Sequence, residues 1–285
     1  MRTTRPDMEI ASPANARIKA LVKLRDRAAR DREGLVLIEG YRELLRALKA
    51  GVKPAEVYFC EAFFLGANEP ALLEQARAAG ARLIALTKTP FAKASYRDRP
   101  DGLLAVAPKI GRPLEAIPLS PSPLIVLAVN IEKPGNLGMI LRSADAVGAD
   151  GVVVADGKTD VNNPNVVRAS TGTLFSMPIA EAGAEETLAW LKRHGIRLLA
   201  ATPHSELGHT EADLTGPVAI ALGAEQYGLT SRWLEAAELK VRIPMAGVAD
   251  SLNVGAAATV LLFEAARQRG FANAKPDFAD ESAPK

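Results

Sequence analysis

At 285 residues, with 48% hydrophobic and 24% charged side chains, the chain has ordinary globular composition and the length of two domains of common size. It contains no apolar run long enough for a membrane span and no N-terminal apolar stretch ahead of a small-residue cleavage site, so a cytoplasmic protein is expected. A single cysteine, Cys60, excludes an internal disulfide, and His194, His204 and His209 share no metal-ligand spacing, so no metal site is expected.

The net charge of +2 conceals an asymmetry: residues 1–110 hold 20 Lys/Arg against 13 Asp/Glu, and residues 111–285 hold 15 against 20. A basic first half is either a well-solvated surface or a face turned to a polyanion, and charge alone does not separate the two.

In chain order, residues 13–31 read as one helix, capped by Ser12 or Asn15, with Ile18, Leu21, Val22 and Leu24 as its apolar stripe. Its other face is cationic, and Arg25, Arg27 and Arg30 on it are candidate phosphate contacts. Strands follow at 35–38, 57–60, 82–86 and 103–107, with helices at 41–50 and 70–79, which makes 1–107 a small α/β domain. Five prolines within 108–123 mark a linker.

The second half, 124–270, opens on the apolar run Leu124-Ile-Val-Leu-Ala-Val129. Similar runs at 151–155, 197–201 and 218–222 alternate with helical patterns at 136–148, 184–194 and 230–237, the signature of a parallel sheet covered on both faces. Ligands bind such sheets at the carboxyl ends of the strands. A last helix spans 253–269, and 271–285 reads as a disordered tail.

Three segments at strand ends carry chemistry. The first, Asn130-Ile-Glu-Lys-Pro-Gly-Asn136 through Arg142, offers Asn136 as a helix cap and places Arg142 on the helix among Ile140, Leu141 and Ala144. Arg142 needs an anionic partner there, and the spacing leaves open whether that is Asp145, Glu132 or an external phosphate. The second is Leu222-Gly223-Ala224-Glu225-Gln226-Tyr227-Gly228, whose glycines permit tight turning or close approach to a ligand. The third joins Ile243-Pro244-Met245 to Ser251-Leu252-Asn253-Val254, where a helix cap accounts for one polar residue but not for Ser251 and Asn253 together. The stretch after Asp156-Gly-Lys-Thr159 lacks the upstream glycine and following helix of a phosphate-binding loop, and no Gly-x-Gly-x-x-Gly follows an early strand.

In this order the three segments resemble the motifs of the SpoU/TrmH branch of the SPOUT methyltransferases, and Asn165–Pro178 resembles a fourth element of that family. The first half, with Leu37-Ile-Glu-Gly40, is similar to the L30e-like substrate-binding domain of many members. The resemblance implies a parallel α/β domain closed by a C-terminal trefoil knot, a homodimer through that domain, and S-adenosylmethionine enclosed by Thr202, Leu222, Gly223, Ala224, Ile243, Met245 and Leu252. It also implies 2′-O-methylation of an RNA ribose, with Arg142 central, Asn136, Glu225, Ser251 and Asn253 in supporting roles, and Arg168 reaching the RNA from a partner subunit. Ribosomal RNA is favoured as substrate. A transfer RNA enzyme and a non-catalytic RNA-binding protein of the same fold are the alternatives.

Overall fold

A computed structural model describes residues 5–272. The tail expected from 271 lies almost wholly outside them. The chain divides into two compact units. The first comprises the described residues up to Ile110 together with Asn162–Ser176, and the second comprises Gly111–Val161 and the described residues from Met177 onward.

The first unit holds a mixed five-stranded sheet in the order β1-β4-β3-β5-β2, formed by β1 (Met8–Ile10), β2 (Leu35–Glu39), β3 (Glu56–Phe59), β4 (Arg82–Leu86) and β5 (Leu103–Pro108). The helices α1 (Ala16–Lys23) and α5 (Lys88–Ala94) cover one face, where Ile18, Leu21, Leu37, Tyr58, Ile84, Phe91 and Leu104 form the core. On the other face lie α3 (Tyr41–Lys49) and α4 (Glu69–Ala78). Cys60 is buried, and burial pushes its thiol above the ordinary range. The inert core role suits it.

The basic helix expected over 13–31 is two helices. Asn15 caps α1 by accepting from the Arg17 amide at 2.9 Å, the chain turns at Leu24–Asp26, and α2 runs over Arg27–Glu33. Two of the expected phosphate contacts are consumed at that turn. Arg30 is 1% exposed and donates to the carbonyls of Leu24 and Arg25 at 2.9 and 2.6 Å. Arg25 donates to the carbonyls of Lys93, Ala94 and Ser95 at 2.7, 3.1 and 2.6 Å, closing the C-terminus of α5. Arg27, Lys19 and Lys23 remain exposed. Burying Arg30 satisfies carbonyls that the helix break leaves open, a need that a continuous helix would not have.

The second unit is a six-stranded, all-parallel sheet in the order β11-β9-β10-β6-β7-β8. Its strands are β6 (Leu124–Val129), β7 (Gly151–Ala155), β8 (Ile179–Ala182), β9 (Arg197–Ala201), β10 (Val218–Leu222) and β11 (Leu239–Val241). The helices α8 (Ala184–Arg193) and α9 (Ser231–Ala236) pack Trp190 and Trp233 against Ile125, Leu127, Val153 and Ala219, while α6 (Pro134–Ala146) and α10 (Val254–Gln268) cover the opposite face. Burial on both faces explains why these strands read as unbroken apolar runs.

The proline-rich stretch is not a free linker. Leu114 and Ile117 are buried in the second unit's core, and Gly111 already belongs to that unit. Asn162–Asn163–Pro164 is followed by a helix after all, α7 (Pro164–Ala169), whose cap Asn163 accepts from the Asn165 amide at 2.9 Å.

Candidate active site

From β6 the chain moves outward to β7 and β8, then returns on the other side through β9 and β10, so the strand order reverses between β6 and β10. The carboxyl ends on either side of such a reversal form a crevice. The register brings Leu222 opposite Ala128, Ala221 opposite Ala200 and Val241 opposite Ala201. Asn130, Thr202, Gly223 and Arg242 therefore follow directly on strand ends along one edge. The Thr202 amide donates to Val241 O at 2.9 Å, fixing the tip of β9 to β11. Asn130 takes φ +53°, a left-handed conformation that Asn tolerates, as the chain leaves β6.

The first motif differs locally from expectation. The helix begins at Pro134 behind Lys133, so Asn136 does not cap it but lies buried in its first turn. Proline at the first helical position needs no amide donor. Arg142 is exposed and makes no hydrogen bond or ion pair with a described residue. Neither proposed internal carboxylate takes it, and Glu132 is paired with Lys158 at 2.5 Å.

The third motif meets the first through its side chains. Asn253 caps α10 by accepting from the amides of Gly255 and Ala256 at 3.0 and 3.4 Å, and its Nδ2 donates to Asn136 Oδ1 at 3.1 Å. Farther along, a Cβ on Gly255 would stand 2.8 Å from Met139 Sδ, and Ser143 bonds Thr259 at 2.7 Å. Asn136, Met139 and Ser143 recur at helical spacing, so α10 is held against one face of α6. Asn136 Nδ2 is buried and has no partner.

The second motif is a closed turn. A Cβ on Gly223 would lie 2.2 Å from the carbonyl carbon of Gly228, and the Gly228 amide donates to Ala224 O at 2.8 Å with φ +64°. Both glycines are required by the backbone. Glu225, Gln226 and Tyr227 project from this turn, all exposed.

After Arg242 the backbone goes without partners: residues 243–252 form no hydrogen bond with any described residue. Met245 is 38% and Leu252 37% exposed, Ile243 is half-buried, and Ser251 is exposed. Among the described residues no group of His, Cys, Asp and Glu could hold a metal ion. The unpartnered Asn136 amide was not legible beforehand, because it depends on where α6 begins.

Arg168 lies in the first unit, on α7, exposed. Its segment is docked there by Arg46, which donates to Thr171 O and Oγ1 at 2.7 and 2.6 Å, and by Gly172, where a Cβ would meet Glu43 Cα at 2.9 Å.

The strand reversal of the parallel sheet thus carries a glycine turn and a backbone strip without partners among the described residues along one edge. The SpoU rRNA Methylase family matches residues 123–263, and the MRM3-like substrate binding domain matches residues 15–105. A crystal structure of an RNA 2′-O ribose methyltransferase is 47% identical, with TM-score 0.80, over 92% of this chain and 99% of that one. The AdoMet-bound rRNA methyltransferase from Sinorhizobium meliloti is 29% identical, with TM-score 0.83, over 91% and 97%. The 23S rRNA (uridine(2479)-2′-O)-methyltransferase of Streptomyces viridochromogenes is 38% identical over 178 residues, 60% of this chain and 62% of that protein. The chain belongs to the SpoU rRNA methylase family.

Proposed function

We propose that the protein transfers the methyl group of S-adenosylmethionine to the ribose 2′-hydroxyl of a nucleotide in 23S ribosomal RNA, in the cytoplasm. The observation that carries this reading is the Asn253–Asn136 bond, which ties the first and third motifs into one side-chain cluster beside an unpaired amide. The relatives' names supply the RNA and the position of the methyl group.

The residues fit the cofactor. A backbone strip with free amides and carbonyls, flanked by exposed Met245 and Leu252, suits an adenosine that needs both hydrogen bonds and apolar cover. Thr202, Leu222, Gly223, Ala224, Ile243, Met245 and Leu252 would hold it, and when bound it supplies an electrophilic methyl on a sulfonium. Arg142 then holds the phosphate next to the target ribose and stabilises negative charge developing on the 2′-oxygen. A guanidinium stays protonated, so Arg142 is not the base, and the hydroxyl proton leaves to water or a phosphate oxygen. Asn136 and Asn253 orient the ribose, and Glu225 and Ser251 shape the entrance.

The knotted threading of the C-terminal segment and a homodimer through the second unit belong to the same reading. Exposed Met139 and Phe263, on the packed pair α6 and α10, supply apolar surface for the second copy. The function is tested by methyl transfer from labelled S-adenosylmethionine into ribosomal and transfer RNA. Label in 23S RNA at a position resistant to alkaline cleavage is expected; label confined to transfer RNA, or in alkali-sensitive positions, refutes it.

A further inference from the structure

Asp156-Gly-Lys-Thr159 lacks the spacing of a phosphate-binding loop, and the proposed activity gives it no part, yet the second unit fixes it at both ends. Asp156 leaves β7 at φ +49°, its amide donating to Ala182 O at 3.1 Å and its Oδ1 accepting from the Ala184 amide at 3.0 Å. A Cβ on Gly157 would stand 2.5 Å from Val154 Cγ1, so a side chain there would collide with the strand that the turn folds back on. Buried Thr159 ties the turn to the first motif, its amide donating to Ile131 O at 3.2 Å and its hydroxyl to Glu132 O at 2.6 Å. The backbone so arranged delivers Lys158 to solvent beside that motif, where its ammonium donates to exposed Glu132 at 2.5 Å.

On the other side of β6, the turn after β10 presents Tyr227, 77% exposed, its hydroxyl bonded to no described residue. Its backbone is preset by the Gly228–Ala224 bond and by the lack of room at Gly223. A ring so exposed gains almost nothing from the fold, and on a fixed turn it can stack on a ligand at little entropic cost. The Lys158 ammonium is held above its ordinary range chiefly by the Glu132 bond, with Tyr227 a smaller contributor, so the two side chains lie within electrostatic reach of each other. Exposed ion pairs are worth little against solvent, and a phosphate can therefore take Lys158 from Glu132 at small cost. Exposed Lys133, whose ammonium bonds no described residue, leaves this cluster with a positive balance.

An ammonium and an aromatic ring, both on fixed turns and both open to solvent, match the two parts of an unpaired nucleotide, its phosphate and its base. The cofactor residues assigned above, Thr202, Leu222, Gly223 and Ile243 among them, lie at the ends of β9, β10 and β11, which leaves the ends of β6 and β7 for RNA. We propose that Tyr227 and Lys158 hold one unpaired nucleotide of the substrate RNA at the methyl-transfer site, its base stacked on the Tyr227 ring and its phosphate on Lys158, with Glu132 keeping Lys158 in place until the RNA arrives. Stacking accepts any base, so these residues set where the nucleotide lies and not which base it carries. This inference rests on the RNA-directed reading above and adds two substrate contacts to Arg142.

The test measures the affinity of the full chain for in vitro transcribed 23S ribosomal RNA across a salt series, for wild type, Tyr227→Ala, Tyr227→Phe, Lys158→Ala and Glu132→Gln. Tyr227→Ala should bind about tenfold more weakly, the scale of one lost stacked base, and Tyr227→Phe, which keeps the ring, should restore the wild-type affinity. Lys158→Ala should flatten the slope of log K against log salt by about 0.7, the value of one single-strand phosphate, and Glu132→Gln should tighten binding by freeing Lys158. S-adenosylmethionine affinity, read by calorimetry, should be the same in all four variants. Wild-type affinity in Tyr227→Ala, an equal loss in Tyr227→Phe, or an unaltered salt slope in Lys158→Ala overturns the inference. Methyl transfer by wild type, run alongside, separates the two readings: alkali-resistant label without these affinity changes sinks this inference alone, and the affinity changes without label sink the proposed activity alone.

Discussion

Asn253 Nδ2 donates to Asn136 Oδ1 at 3.1 Å while Asn253 Oδ1 caps α10, so one side chain both starts the last helix and reaches the first motif. The two duties separate on substitution. Asn253→Asp retains the cap, whereas Asn253→Ala loses about 1 kcal/mol of capping, a fall in melting temperature of roughly 2–4 °C for a chain of this size. Both variants end the bond as it stands: with Ala nothing donates to Asn136 Oδ1, and with Asp the Asn136 amide must turn over to donate, which puts Oδ1 where its unpaired Nδ2 stood. Both are therefore expected to slow methyl transfer by at least about tenfold, on the scale of one lost positioning hydrogen bond, with only Ala lowering the melting temperature. Equal activity in Asp and wild type would show that the bond does not position substrate.

Gly223 leaves no room for a side chain against the Gly228 backbone. Gly223→Ala must open the turn, so its cofactor affinity is expected to fall by more than about tenfold, on the scale of a misplaced binding loop. Calorimetric titration with S-adenosylmethionine reads this directly; unchanged affinity would mean that the turn does not contact the cofactor.

Neutralising the exposed Lys19, Lys23 and Arg27 should flatten the dependence of log K for RNA on log salt by about 2, at about 0.7 per single-strand phosphate. Thermal stability should be retained. Arg30→Ala should instead cost about 2–3 kcal/mol, because a buried charged hydrogen-bond donor is lost, and this is read by urea denaturation. If the triple variant keeps the wild-type salt slope, this face does not meet RNA.

Glu264 accepts from Arg267 Nε and Nη2, each at 2.8 Å, and from Gln268, and its carboxyl is pushed down to about 2 chiefly by the Arg267 bonds. A carboxyl lower in the folded than in the unfolded chain stabilises above the ordinary value of 4.5, and that contribution is lost as pH falls toward 2. Arg267→Ala should return the Glu264 midpoint toward its ordinary range in an NMR titration. It should also reduce the acid sensitivity of stability between about pH 4.5 and 2.

Much of the sheet was readable because parallel strands buried on both faces are continuous apolar runs: Leu124–Val129, Gly151–Ala155, Arg197–Ala201 and Val218–Leu222 fall where expected. Met8–Ile10 and Ile179–Ala182 were missed, being edge strands of three and four residues, too short to show a period. The break between α1 and α2 went unseen because nothing in residues 13–31 forbids a helix; it is made by Arg25 and Arg30 finding carbonyls in three dimensions. Likewise the three motifs were visible as spacing, but the Asn136–Asn253 bond spans 117 residues and depends on Gly255 letting α10 approach Met139.

Arg142 tests the account most directly, as the one guanidinium of the first motif left without a bonded partner among the described residues. The measurement is the single-turnover rate of methyl transfer into 23S ribosomal RNA for Arg142→Ala, with S-adenosylmethionine affinity determined in parallel. A rate lower by about 10²–10³, the usual cost of losing a transition-state donor, with cofactor affinity unchanged, is predicted. A rate within a few-fold of wild type would contradict the role assigned to Arg142 and the mechanism built on it.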